Sequence, residues 1–307
     1  MPKSPKKTPP AAPVNTSPYA LTPEPQTVDP MWLLKALGVL AILAFVCAYL
    51  SICGLFWKSQ WQLVLHPFHG EKHTPADAGL LTENVSFGPD SSGQPQLRGW
   101  WIAADNTSAT VLMLPSGDGS AGDWTQQAKL FHDAHLNVLL FDYRGVGQSQ
   151  GHHPTMQTMR EDATAALAFL NTRQVAREQT IVFGGGSSAS IATQLCGDHH
   201  DLAALVLFNA DGDFAARAKA DPRSHIVPFS LLFNQGFPLA DPLNTLATPK
   251  LLLSQTTTAA PEVYKRAASP KMLAELPDMN SPAFTSTLTR FLDMYTKVKT
   301  APATLQP

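Results

Sequence analysis

Charge is what this chain has least of. Charged residues make up 15% of its 307 positions, against roughly 25% in an average soluble domain, and 22 Lys+Arg nearly balance 24 Asp+Glu. A protein that holds nucleic acid through its phosphates needs a basic face, and this balance supplies none, so no nucleic-acid partner is expected. Three cysteines, two of them (Cys47 and Cys53) inside an apolar run, cannot build a disulfide framework. Histidine is plentiful, ten in all, yet none follows His225. A hydrophobic content of 44% excludes a wholly disordered chain and leaves enough for a large core.

What is present divides the chain into three parts. Residues 1–30 hold nine of the 26 prolines, with Lys3, Lys6 and Lys7 near the start and few aliphatic side chains, and read as a solvated, proline-rich spacer. Residues 31–57 read as a transmembrane anchor. Within them the 22 residues 36–57 carry no charge and are bracketed by Lys35 and Lys58. As a helix they span about 33 Å, enough for the hydrocarbon core, and Trp32 and Trp57 stand where interfacial aromatics are expected. A cleaved signal would be shorter and end in small residues. Leu50-Ser51-Ile52-Cys53 resembles a lipoprotein box, but Ile52 is too bulky for it. Four lysines (Lys3, Lys6, Lys7 and Lys35) precede the uncharged run, which points to a single-pass protein with a cytoplasmic tail and an exported C-terminal domain.

Residues 58–307 have the length of one domain. Apolar runs of strand length recur at 109–114, 137–143, 180–184, 204–209 and 250–253, separated by helix-like stretches at 124–134, 158–170, 189–196 and 284–298. Thr158 and Glu161 suit a capping box at the second of these. Alternating runs at 83–87 and 97–103 suggest an antiparallel opening. Buried strands alternating with helices predict an α/β domain with a mostly parallel sheet covered on both faces, whose chemistry sits at the carboxyl ends of the strands.

Three strand ends carry signals. After Leu114 comes Pro115-Ser116-Gly117-Asp118-Gly119, a turn whose backbone N–H groups can converge on an anion or a polarised carbonyl. After Phe141 comes Asp142-Tyr143-Arg144-Gly145-Val146-Gly147-Gln148-Ser149. After Phe183 comes Gly184-Gly185-Gly186-Ser187-Ser188-Ala189. The Asp-Tyr-Arg-Gly-x-Gly-x-Ser segment resembles the α/β-hydrolase family, especially its single-pass membrane-anchored serine hydrolases, as does Leu63-Val64-Leu65-His66-Pro67. The resemblance covers residues 60–297. It implies a sheet of about eight strands, a cap near residues 211–247, a Ser–His–acid triad and acyl substrates. The Asp-Tyr-Arg-Gly segment is architectural in that family.

Against the family's G-x-S-x-G elbow, ungapped matching puts Gly186 at the nucleophile and Ser188 at the last glycine. A slip of one residue would make Ser187 the nucleophile, at the cost of moving strand or helix off its apolar register. The acid position falls near Thr258, with Glu262 too late and better placed to open a helix. The base position falls at Met279 or Asn280. Glycine cannot attack, threonine cannot stabilise an imidazolium, and without a base a serine hydroxyl stays protonated. The three gaps together point to a pseudoenzyme. Its remaining pocket, floored by N–H groups of Ser116, Gly117, Asp118, Gly119 and Ser187, leaves room for a small acyl or carboxylate ligand; a protein partner is the other expected occupant.

Other constellations are weaker. Ser187 with His225 and Asp211 or Asp213, or with His152 and His153, lacks the family's spacing. His66, His69 and His73 would align only on a helix, which Pro67, Gly70 and Pro75 oppose, and His199-His200 point apart, so no metal is expected. The glycine run lacks the Lys and Ser/Thr of a phosphate loop, and Cys196 reads as a small buried hydrophobe. No cofactor is expected.

Overall fold

The computed structural model describes residues 29–298 except 90, 106, 108, 211–213, 257–261 and 282. The chain forms two compact units, residues 1–51 and 52–307. The first contributes most of helix α1 (Pro30–Ser59), continuous through the uncharged run. Within Pro30–Leu63 an 18-residue stretch reaches a mean hydropathy of 2.6, so among the described residues this is the one helix long and apolar enough to cross a membrane. Its leucines, valines and Phe45 are exposed all round, a distribution that suits lipid and not water.

The second unit is built on an eight-stranded sheet in the order β1-β2-β4-β3-β5-β6-β7-β8. Strands β1 (Glu83–Pro89) and β2 (Pro95–Ile102) form the antiparallel opening. Then follow β3 (Thr110–Leu114), β4 (Asn137–Asp142), β5 (Thr180–Gly185), β6 (Ala204–Phe208), β7 (Lys250–Gln255) and β8 (Lys271–Leu276), all parallel to one another. Strands β3, β4 and β5 are buried at every position, as their unbroken apolar runs require. Strand β8, whose residues alternate in exposure at the sheet edge, has no such run and was not separable from loop by pattern.

Helices α2 (Thr125–Asp133), α3 (Met156–Thr172), α4 (Ser188–Asp198) and α9 (Ala283–Tyr295) cover the sheet. Short helices α5 (Phe214–Ala220), α6 (Phe229–Leu232) and α7 (Ala240–Thr245) lie in the expected cap, and α8 (Glu262–Arg266) follows β7. Two apolar clusters result, one per sheet face. Met159, Ala163, Ala166 and Leu170 of α3 join Leu112, Leu139 and Val182 on one; Phe131, Phe284, Leu288 and Phe291 join Val111, Val138 and Phe183 on the other. Strand alternation sorts neighbouring side chains between these faces.

The cap of α3 differs from the Thr158–Glu161 expectation. Thr155 is the N-cap: its Oγ1 accepts from Thr158 N at 3.2 Å, while Thr158 Oγ1 accepts from Thr155 N at 2.8 Å. The earlier hydroxyl satisfies the first-turn donors, so the helix starts at Met156. Glu161 pairs instead with Arg144.

The Asp-Tyr-Arg-Gly segment works as a brace. Arg144 donates from Nε to Asp162 Oδ1 at 2.8 Å, and its backbone N–H reaches Oδ2 at 2.9 Å. This fastens the end of β4 to α3. Asp142 is buried and accepts from Ala121 N at 2.7 Å and Gln148 N at 3.3 Å, joining two loops at the carboxyl end of the sheet. Burial pushes its carboxyl up to about 6.

Candidate functional site

Parallel pairing of β3 with β5 sets Leu114 opposite Gly184, so the turn after one strand meets the turn after the other. Gly186 forms the apex of the second turn with φ +55. L-residues reach that left-handed region only at a cost, and the elbow position of this architecture demands it. A Cβ built on Gly186 would find open space apart from Ser116 Cβ at 3.4 Å. Its neighbours are different. On Gly184 a Cβ would meet Ala192 Cβ at 2.8 Å and the Ser188 carbonyl at 2.9 Å; on Gly185 it would run into the Trp124 ring. Glycine at 184 and 185 is thus a matter of crowding, and at 186 of backbone direction.

The first residues of α4 hold this turn in place. Ser188, fully buried, donates from Oγ to Leu114 O at 2.5 Å and accepts from Gly185 N at 3.1 Å, stapling the two turns together. Ser190 Oγ donates to Pro238 O at 2.6 Å, tying α4 to the cap. Sequence matching saw Ser188 only as a replaced glycine. Its hydroxyl has a structural partner on the neighbouring strand, which pattern alone cannot show.

Ser187 lies just beyond the apex, with φ −66 and ψ −34, and is 2% exposed. Its Oγ accepts from Gly117 N at 3.0 Å. The hydroxyl therefore occupies one of the backbone donors expected to floor the pocket. Gly119 N is also engaged, donating to His66 O at 3.0 Å. Ser116 donates from Oγ to Asp118 O at 3.3 Å within its own turn, and Asp118 is exposed, taking His66 N and His66 Nδ1 on one carboxylate oxygen at 2.9 Å each. Of the five residues expected to offer free donors, Gly117 and Gly119 have theirs spent. Ser187 takes the first, and the segment 64–70, which joins the turn through a Pro67–Gly119 bridge, takes the second. That closeness has no signature in the sequence beyond the short apolar Leu63-Val64-Leu65.

Of the other expected positions, Thr258, Asp211 and Asp213 lie outside the described residues. Glu262 opens α8 and pairs with Lys265 at 2.6 Å. Met279 is buried in the core with Leu276 and Phe284, and Asn280 is exposed. His225 is exposed at the end of a turn, His152 is exposed, and His153 stacks on Trp61. His69 bridges to Gly147 in non-helical chain, so His66, His69 and His73 do not align. His199 faces Arg177 at 3.3 Å. Among the described residues no group of three or more His, Cys, Asp or Glu could hold a metal ion. Cys196 is fully buried, and burial pushes its thiol well up, away from reactivity.

Sheet order, the antiparallel opening, a left-handed turn between β5 and α4 and the helices covering the sheet define the α/β-hydrolase fold. The chain belongs to the Hydrolase_4 family, described as serine aminopeptidase, S33, which it matches over residues 105–303. It is 30% identical over 177 residues to an uncharacterized protein of Mycobacterium tuberculosis, covering 56% of this chain and 60% of that one. The chain thus spans about three fifths of that relative's length. It is 28% identical over 141 residues to the alpha/beta hydrolase domain-containing protein WAV2 of Arabidopsis thaliana, 44% of this chain and 45% of the other. An uncharacterized membrane protein of Saccharomyces cerevisiae is 24% identical over 131 residues, 42% and 45% of the two chains. Among solved structures, an esterase of Pyrococcus furiosus superposes with a TM-score of 0.57 at 20% identity, covering 76% of this chain and 98% of the esterase. At that identity the likeness concerns the fold alone.

Proposed function

We propose that this protein is a membrane-tethered α/β-hydrolase-like domain without hydrolytic chemistry, a pseudoenzyme that acts as a binding or scaffold module. The elbow carries this reading. Its left-handed apex is Gly186, which has no nucleophile, and the next hydroxyl, on Ser187, is turned inward onto Gly117 N. Neither residue at the position expected for the family's base can act as one: Met279 is buried in the core and Asn280 has no titratable nitrogen. A serine without a base within reach keeps its proton at neutral pH, and acylation does not start. The occupant of the pocket is a small acyl or carboxylate group or a protein partner. Anchoring by α1 rests on its length and apolar surface, and the lysine excess before it favours an exported domain.

A second reading, a serine hydrolase acting through Ser187, has one observation in its favour: His66, on the segment 64–70, pairs with Asp118, which follows Gly117 in the turn after β3. A fluorophosphonate probe separates the two. The full-length protein in detergent is expected to remain unlabelled. Labelling that disappears in Ser187→Ala or Ser116→Ala overturns the pseudoenzyme. Protease digestion of sealed spheroplasts tests orientation, and a C-terminal domain protected from outside removes the exported assignment.

A further inference from the structure

Where α1 ends, its last turn forms one wall of a cavity of about 650 Å³, lined among others by Trp57, Lys58, Trp61, His153, Thr155 and Gln157. The elbow uses none of these residues. The walls are held by contacts among themselves. Gln60, 3% exposed, donates from Nε2 to Trp57 O at 3.1 Å and Leu232 O at 3.2 Å, and its Oε1 accepts from Asn234 N at 2.8 Å. Gln235, also buried, accepts from Met156 N at 2.7 Å and donates to Asn234 Oδ1 at 2.7 Å. The His153 ring stacks on Trp61 at 4.3 Å and 13°. A cavity whose walls are already fastened loses little on taking an occupant.

Its chemistry is one-sided. None of the described lining residues is acidic, while Lys58 and His153 share the space. Burial above all, and then His152 and Lys58, lower the pKa of His153, so the ring is held neutral and offers a phosphate a hydrogen bond, while Lys58 supplies the charge. Two of the first N–H groups of α3 are taken, Met156 N by Gln235 and Thr158 N by Thr155, so the charged and aromatic side chains are the main recognition elements. Lys58 directly follows the uncharged run, and Trp57 is half exposed beside it. That is the depth at which a spanning helix meets lipid headgroups.

We propose that this cavity receives the phosphate of an anionic membrane phospholipid, held by Lys58 and His153, with Trp57 and Trp61 against the glycerol and upper acyl chain. The proposal rests on the anchoring reading above. It is independent of whether the elbow is catalytic.

The test starts from full-length protein in nanodiscs of phosphatidylcholine with about one fifth phosphatidylglycerol. After transfer to detergent, native mass spectrometry counts the phospholipid retained. Phosphatidylglycerol is expected to be enriched over phosphatidylcholine by about fivefold, the worth of one lysine beside an anionic lipid. Lys58→Gln and His153→Ala are expected to remove most of that enrichment, and Lys129→Gln, on the far helix α2, to leave it. No enrichment in the wild type, or equal enrichment in Lys58→Gln, overturns the proposal. In a second arm inorganic phosphate is titrated against tryptophan fluorescence; saturation at phosphate concentrations that strip the lipid assigns the site to free phosphate and overturns the lipid. Alkaline carbonate extraction separates the two readings. Release of the wild type from membranes overturns the anchor and this occupant together, whereas membrane-retained protein without enrichment overturns the occupant alone.

Discussion

Restoring a serine at the apex of the elbow, Gly186→Ser, separates backbone direction from crowding. At φ +55 an L-residue pays about 1–2 kcal/mol for left-handed geometry. Restricting the unfolded chain returns about 0.4–1 kcal/mol of that. The new Cβ meets only Ser116 Cβ at 3.4 Å, so steric cost adds little. A net loss of about 1 kcal/mol corresponds to about 2–4 °C in a domain of this size. Gly184→Ser has ordinary φ, but its Cβ faces Ala192 Cβ at 2.8 Å and the Ser188 carbonyl at 2.9 Å. Helix backbone cannot step aside, and overpacking of this kind costs about 1–3 kcal/mol or more. Thermal unfolding of the full chain in detergent should therefore rank wild type above Gly186→Ser above Gly184→Ser. The restored hydroxyl should stay unreactive to fluorophosphonate, because no imidazole stands beside it. Gly186→Ser as damaging as Gly184→Ser would show that the elbow lies at another residue, and labelling of Gly186→Ser would show that a base is present after all.

Three further outcomes follow from buried groups. Asp142, raised from 3.8 to about 6 by burial, keeps its proton in the folded state at pH values where the unfolded chain has released it. Stability should thus fall as pH rises from about 4 to about 6, by on the order of 3 kcal/mol, and level off above; Asp142→Asn in pH-dependent denaturant melts should lack that slope, and an unchanged slope would refute the assignment. Removing Arg144 leaves Asp162, 1% exposed, without its guanidinium, so Arg144→Ala should cost about 3–5 kcal/mol and the double variant with Asp162→Asn clearly less, as a double-mutant cycle would read. Ser187→Ala strands the buried Gly117 N–H and should lower stability by about 1–3 kcal/mol; a neutral result in urea melts would mean that the hydroxyl is not its partner.

Much of this architecture is legible in the sequence. The five buried strands, the antiparallel pair at 83–89 and 95–102 and the four covering helices follow from apolar runs, because a strand buried on both faces admits almost no polar residue. Strand β8 escaped, since an edge strand that alternates weakly looks like loop. The helix α3 began earlier than expected because two threonines competed for its cap and the upstream one satisfied more donors.

By itself the sequence determined the uncharged helix ahead of the domain, the sheet scaffold and the absence of any histidine beyond residue 225. Those are properties of composition and period, which local chemistry enforces. Tertiary structure decided what became of the elbow. Only the folded chain brings Gly117 over Ser187 and stacks His153 on Trp61, because each contact joins segments tens of residues apart in the chain. A hydroxyl in a glycine-rich turn looks the same in sequence whether it faces a substrate or a backbone donor; its neighbour across the sheet makes the difference.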